Sequence, residues 1–332
     1  MSEAQGDSKP TKAPEVVASN PERKSEKLQS PKVPRKIGFR KQIAGRIVGA
    51  AMALSAIGIP ADNPNQNLNF SSVYKNNPEI VQSLSVQDLE RMAERLYQIQ
   101  IVSPEEKKAI ELSNGAIIET AEWNKEEITN FMRVLDKLPH NFYSPDPGGI
   151  PVNFIVSDID PQNLNKGGMP YGALCSCRPN SKIPEVVFTR KGFRNFYDMS
   201  IIITHELTHR VSTSKDDKFM SQLLGVPDNV DFGEFSNDNF VNKIDTLQLI
   251  DALENAGFNK YAVQNMFRYG LHNPDEFTSV ASQFYIGGKE NFLKLYGVYI
   301  GDEKAQRLYD YMKNKIFKGK EYSNDREYFQ FH

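Results

Sequence analysis

Among the five histidines of this 332-residue chain, two stand four apart around an acid, in His205-Glu206-Leu207-Thr208-His209. On a helix, residues i and i+4 share a face at about 5–6 Å. Two imidazoles so placed can reach one zinc ion at Zn–N distances of about 2.0–2.1 Å. Glu206 is turned roughly 100° from His205, too far round to be an equivalent ligand. It projects beside the ion, where its carboxylate can take a proton from water. Zinc lowers the pKa of water that it ligates toward about 7, so a carboxylate can complete the deprotonation near neutral pH. The pentapeptide therefore predicts a zinc centre in which metal-activated water works with Glu206 as general base.

The bland alternative is a coincidence on a core helix, since a histidine on an apolar face is usually a satisfied core residue. The residues ahead of the motif, Ser200-Ile201-Ile202-Ile203-Thr204, make this a buried helix. Two imidazoles and a carboxylate are costly to bury there without a partner ion. Arg210, where helices of this kind usually carry an uncharged residue, is expected to point to solvent.

Catalytic zinc sites use three protein ligands and leave a fourth position open. No histidine follows soon after His209, so the third ligand should be a carboxylate. Glu276 is favoured, near the start of a helix with an apolar face through Phe277, Val280, Ala281 and Phe284, because a rigid helix can hold a ligand to metal geometry. Asp275 and Glu234 are its competitors. Asn273 and Pro274 also read as a helix start, with Glu276 three after the cap, and capping needs no metal.

The pairing of HELTH with Glu276-Phe277-x-Ser279-x-Ala281-x-x-Phe284 resembles the gluzincin peptidases of the anthrax lethal factor type, which include the small secreted Pro-Pro endopeptidases. The likeness spans roughly residues 120 to 300 and departs from the group at Ser279 and Ser282, where an alanine and an acid are common. It implies a zincin-like domain, zinc endopeptidase activity, Glu276 as the third ligand and Tyr269 as the residue that steadies the transition state. A phenol there could donate to a developing oxyanion. The competing role for Tyr269 is packing beside Gly270, which reads as a helix C-cap.

Elements must position these residues. From Val86, apolar Leu89, Met92, Ala93, Leu96 and Ile99 recur at helical spacing. Ser103-Pro104-Glu105-Glu106 reads as a second helix start, and Lys125 to Leu138 as a third helix. Strands are predicted at Val152 to Val156, Tyr171 to Cys177 and Glu185 to Thr189, with Tyr171 to Cys177 a candidate to pair with extended substrate. Helices follow at Met199–Val211, Lys243–Ala256, Lys260–Tyr269, Pro274–Tyr285 and Asp302–Phe317. The order predicts α+β, a small mixed sheet with the motif helix and a mostly helical C-terminal half, in one domain over residues 85–325.

Residues 1–42 carry ten Lys and Arg against five Asp and Glu and few large apolar groups, which predicts a disordered basic arm. Residues 43–61 hold fifteen uncharged positions after Arg46, short for a membrane span. They fit a secretory signal with a long leader, and alternatively a weak membrane tether. Residues 62–84 read as a linker. These features predict a secreted or cell-envelope protein, with transient membrane contact through 43–61; the alternative is cytoplasmic or a delivered effector.

A net charge of −2 offers no electrostatic case for nucleic acid. The Gly167–Gly172 stretch lacks the lysine and helix of a phosphate loop. Cys175 and Cys177 lack a partner pair for metal and read as strand residues, a bridge between them being strained. His272 reads as an exposed loop residue that could instead orient Glu276. We expect a monomer acting on peptide or protein substrates. The rivals are a non-catalytic effector or binding module on the same scaffold, and an exopeptidase or amidase.

Overall fold

The computed structural model describes residues 69–111, 117–144, 151–158, 173–175, 184–190, 196–241 and 260–324. The basic arm, the apolar segment 43–61, the first part of the linker, the Gly-rich stretch and the helix expected at 243–256 lie outside these residues. The described part is α+β and mostly helical.

Residues 69–84, expected as linker, instead form α1 (Phe70–Asn76) and α2 (Pro78–Ser83), which bury Phe70, Val73 and Val81. Helix α1 is anchored from a distance. Asp136 accepts hydrogen bonds from the backbone N–H groups of Phe70 (3.0 Å) and Ser71 (2.6 Å), and from the Tyr97 hydroxyl (2.6 Å). A charged acceptor for first-turn amides stabilises a helix too short to persist alone.

Helix α3 (Val86–Tyr97) starts at a Ser85–Asp88 capping box and buries Leu89, Met92 and Ala93. The helix expected at Ser103 does not form. Glu106 and Lys107 both donate backbone bonds to the Ser103 carbonyl, making one turn, and the chain runs on into strand β2.

The main sheet has the order β1–β4–β6–β5 (Gln100–Ile101, Asn153–Ser157, Glu185–Thr189, Ala173–Cys175). Strands β1, β4 and β6 run parallel, Phe154 facing Val186, and β5 is antiparallel to β6, Leu174 facing Val187. A separate hairpin joins β2 (Ala109–Glu111) to β3 (Ile117–Glu119). In β4 and β6, four consecutive residues are buried, as expected of parallel strands covered on both faces.

Helix α4 (Lys125–Lys137) sets Phe131 edge-on to Phe154 at 4.8 Å between ring centroids. Its buried Glu127 pairs with Arg190 at the end of β6 (2.6 Å), and Arg190 also reaches Asp158 and the Glu122 carbonyl. That pairing ties α4 to the end of the strand that leads toward the motif helix, α5 (Phe196–Val211).

After α5 come α6 (Ser214–Leu224), α7 (Phe232–Ser236), α8 (Lys260–Gly270), α9 (Pro274–Tyr285), α10 (Lys289–Ile300) and α11 (Asp302–Tyr311). Helix α9 is the hub, packing on α5, α6, α8 and α10. All nine of its residues from Phe277 to Tyr285 are buried, so it is enclosed rather than amphipathic. Its hydroxyls stay satisfied by bonding back one turn, Thr278 to Pro274 O and Ser282 to Thr278 O. Gln283 donates to the Ile201 carbonyl of α5 at 3.3 Å.

Candidate metal centre

Helix α5 presents His205 and His209 from adjacent turns, and α9 brings Glu276 against them. His205 Nε2 and His209 Nε2 are 3.2 Å apart, while Glu276 Oε2 lies 3.1 Å from the first and 3.5 Å from the second. All three side chains are largely buried, 8%, 14% and 17% exposed. Among the described residues this trio is the group of histidine and acidic side chains that could hold a metal ion.

Local sequence explains the approach. Asn273 caps α9 by accepting the Glu276 N–H at 2.9 Å, with Pro274 at the first helical position. The Glu276 side chain points to the histidines. The cap and the candidate ligand thus coexist in one residue, its backbone serving the helix and its carboxylate the site.

The three separations can be tested against a tetrahedral ion. Bonds of 2.0–2.1 Å separate neighbouring donors by about 3.3–3.4 Å. The observed 3.1, 3.2 and 3.5 Å bracket that edge. Glu276 Oε2 is buried and makes no hydrogen bond, although two ring nitrogens stand close. Three ring and carboxylate atoms that converge on one point, with the buried carboxylate oxygen left without a hydrogen bond, fit a divalent cation. Two imidazoles and a carboxylate are a donor set of the zinc type.

Charge is focused here. Burial opposes a charged imidazole at His209, but its contacts with Asp275 and Glu276 and the field of Glu206 outweigh this and push its pKa up to about 10. Burial likewise works against the Glu276 carboxylate, yet the two imidazoles hold it well below the usual range. Asp275 is lowered in the same way by His209 and Ser212.

The other sequence candidates separate clearly. Glu206 is buried on α5, 8% exposed, between His205 and His209 in sequence. Tyr269, at the end of α8, sets its ring 5.6 Å from that of His205. Gly270 makes this possible by close contact, since a Cβ there would lie 3.1 Å from Val280 Cβ on α9; helix α8 includes Gly270 as its last residue. Asp275, weighed as a rival ligand, stands on the far side of His209, its Oδ2 2.9 Å from Nδ1. Glu234 is exposed on α7, its N–H bonded to Asp231. His272 is exposed, its ring 5.9 Å from that of Tyr269. Arg210 does not simply point to solvent: its Nη1 donates to the Phe142 carbonyl at 3.2 Å.

Two further residues stand around His209: Ser212, which sequence reasoning does not single out, and Ser279, which it notes only as a departure from the resembled group. Ser212 donates to Asp275 Oδ1, and Ser279 Oγ lies 3.2 Å from His209 Nδ1. The only sequence signal of Ser212 is its proximity to the motif.

Compared with known proteins, the chain matches no family model, no curated protein and no solved structure.

Proposed function

We propose that the chain is a zinc-dependent endopeptidase with a zincin-like arrangement, in which His205, His209 and Glu276 hold the ion. The observation that carries this reading is the spacing of their three donor atoms, 3.1–3.5 Å, around an orphaned carboxylate oxygen. A bound divalent cation supplies Lewis acidity toward water and toward a scissile carbonyl. Glu206 accepts the proton from attacking water and later passes it to the leaving amine. Tyr269 donates from its hydroxyl to the oxyanion that develops on the carbonyl.

The sheet offers a track for substrate. Among the described residues strand β5 is at the edge of the sheet and contacts α5, so an extended peptide can add alongside it and lie against the motif helix. A purely structural or binding site has no use for a base beside its ligands, and Glu206 is kept there in a buried position. For location, we carry forward export directed by residues 43–61. No helix among the described residues is long and apolar enough to cross a membrane. N-terminal sequencing of mature protein tests export, and an intact residue 1–61 segment on it would remove the idea.

The deciding experiment is Glu206→Gln assayed on a mixed peptide library with zinc content measured in parallel. Zinc stays stoichiometric and hydrolysis disappears. Undiminished hydrolysis in that variant would overturn the mechanism, and an inactive wild-type chain that holds zinc would favour the binding-module alternative.

A further inference from the structure

We propose that Asp275, steadied by Ser212, is a positioning residue that holds one proton of His209 on Nδ1, so that Nε2 is the nitrogen that gives up its proton and takes the ion. This deepens the metal-centre reading and rests on it.

The two ligating histidines are not equivalent. Nδ1 of His205 is buried with no hydrogen-bond partner. Nδ1 of His209 faces a carboxylate oxygen of Asp275 at 2.9 Å. An ionised carboxylate can only accept, so the proton of that bond belongs to the imidazole. The hydroxyl of Ser212 donates to the other oxygen, Oδ1, which fixes the carboxylate's rotation. Ser279 Oγ lies 3.2 Å from the same ring nitrogen.

Consecutive residues of α9 thus address opposite sides of one ring, Asp275 at Nδ1 and Glu276 at Nε2. Both sit in the first turn of a helix capped by Asn273, where the backbone dipole favours negative charge. Neither side chain is free to wander, because α9 is buried from Phe277 onward. One rigid turn therefore sets the third ligand and the tautomer of the second together. Removing the carboxylate leaves Nδ1 open to accept, which lets the proton move to Nε2, where it competes with the ion.

The test compares wild type, Asp275→Asn and Ser212→Ala as full chains. Zinc affinity is measured by competition with a chromophoric chelator, and the zinc-loaded proteins are examined by NMR of the histidine ring N–H groups. Outer partners of ligating histidines are worth about 10–100-fold in metal affinity. Asp275→Asn should lose affinity in that range with its circular dichroism unchanged, and Ser212→Ala should lose less. In zinc-loaded wild type, the His209 Nδ1–H resonance is present, strongly hydrogen-bonded and slow to exchange. It moves upfield or exchanges away in Asp275→Asn, a change that a merely structural role would not produce.

Wild-type zinc affinity in Asp275→Asn overturns the proposal, as does a His209 ring proton that is indifferent to the substitution. If Asp275→Asn does not fold, Ser212→Ala decides. A several-fold loss of affinity with a shifted Nδ1–H supports the proposal, and neither change refutes it. A wild-type chain that takes up no zinc sinks the metal-centre reading itself. Uptake that is equal in wild type and variant sinks only this inference.

Discussion

Removing metal with a chelator and raising the pH should weaken the fold and strengthen zinc binding over the same interval. His209 is pushed from 6.5 to about 10. Below about 6.5 the imidazole is protonated in folded and unfolded chains alike, so its contribution to stability is fully present. Between these values the folded chain keeps a proton that the unfolded chain has lost. Stability then falls as pH rises, by up to about 1.36 kcal/mol per pH unit. His209 is only 14% exposed, so solvent screening is modest, and the whole interval amounts to on the order of 5 kcal/mol. That free energy belongs to the cluster of His209, Asp275 and Glu276 and is counted once. The two carboxylates are lowered instead, so their share is lost only in acid and does not interfere above pH 6.5. Zinc must displace the same Nε2 proton, so its apparent affinity rises about tenfold per pH unit through that interval. The assay is thermal melting of chelator-treated wild type and His209→Gln from pH 6.5 to 9.5, with zinc competition titrations at each pH. The melting temperature of wild type should fall relative to the variant by roughly 10–20 °C. Parallel melting profiles, or a zinc affinity that ignores pH, would refute the reasoning.

Three further outcomes follow from particular contacts. Tyr269→Phe should keep zinc and lower kcat by about 10²–10³ with little change in KM, measured by steady-state hydrolysis of a cleavable peptide. Gly288 has φ +100° and a Cβ there would meet the Asn324 backbone at 2.6–2.7 Å, so Gly288→Ala should cost roughly 2–4 kcal/mol in urea unfolding. Gly225 has φ +85° but open space around it, so Gly225→Ala should cost only about 1–2 kcal/mol, and equal losses at both positions would contradict the packing.

Parts of the fold were legible where local signals and tertiary packing agree. Asn273-Pro274 with Glu276 marks the start of α9, and the helix runs to Tyr285 as its apolar spacing predicts. Helix α4 likewise begins at its Asn124–Glu127 capping box and keeps its expected inward face. The strands around Val156 and Val187 read correctly because runs buried on both faces are continuously apolar.

Elsewhere the deciding contact is remote in sequence. The segment 69–84 looks polar, and what stabilises α1 is Asp136, 66 positions from Phe70. Ser103-Pro104-Glu105-Glu106 carries the right residues for a helix start, but these satisfy a single turn before the chain enters the β2–β3 hairpin. Helix α10 was not anticipated because its run through Gly297 lacks a polar face. A Cβ at that glycine would meet only the carboxylate tip of exposed Asp302, at 2.5 Å, which can swing aside. At the site, residue type and spacing suffice to nominate His205, Glu206 and His209. The division of labour between Asp275 and Glu276 depends on which edge of the His209 ring each meets, which spacing along the chain does not encode.

In the proposed centre, two imidazoles of one helix and a carboxylate of another form a preorganised seat for zinc. X-ray absorption at the zinc edge on the zinc-loaded full chain tests it most directly. The zinc-loaded chain should hold one zinc, with two imidazole nitrogens and a carboxylate oxygen at about 2.0–2.1 Å, and Glu276→Ala should lose that oxygen. A chain that retains no stoichiometric zinc, or a coordination shell that is the same in Glu276→Ala, would contradict it.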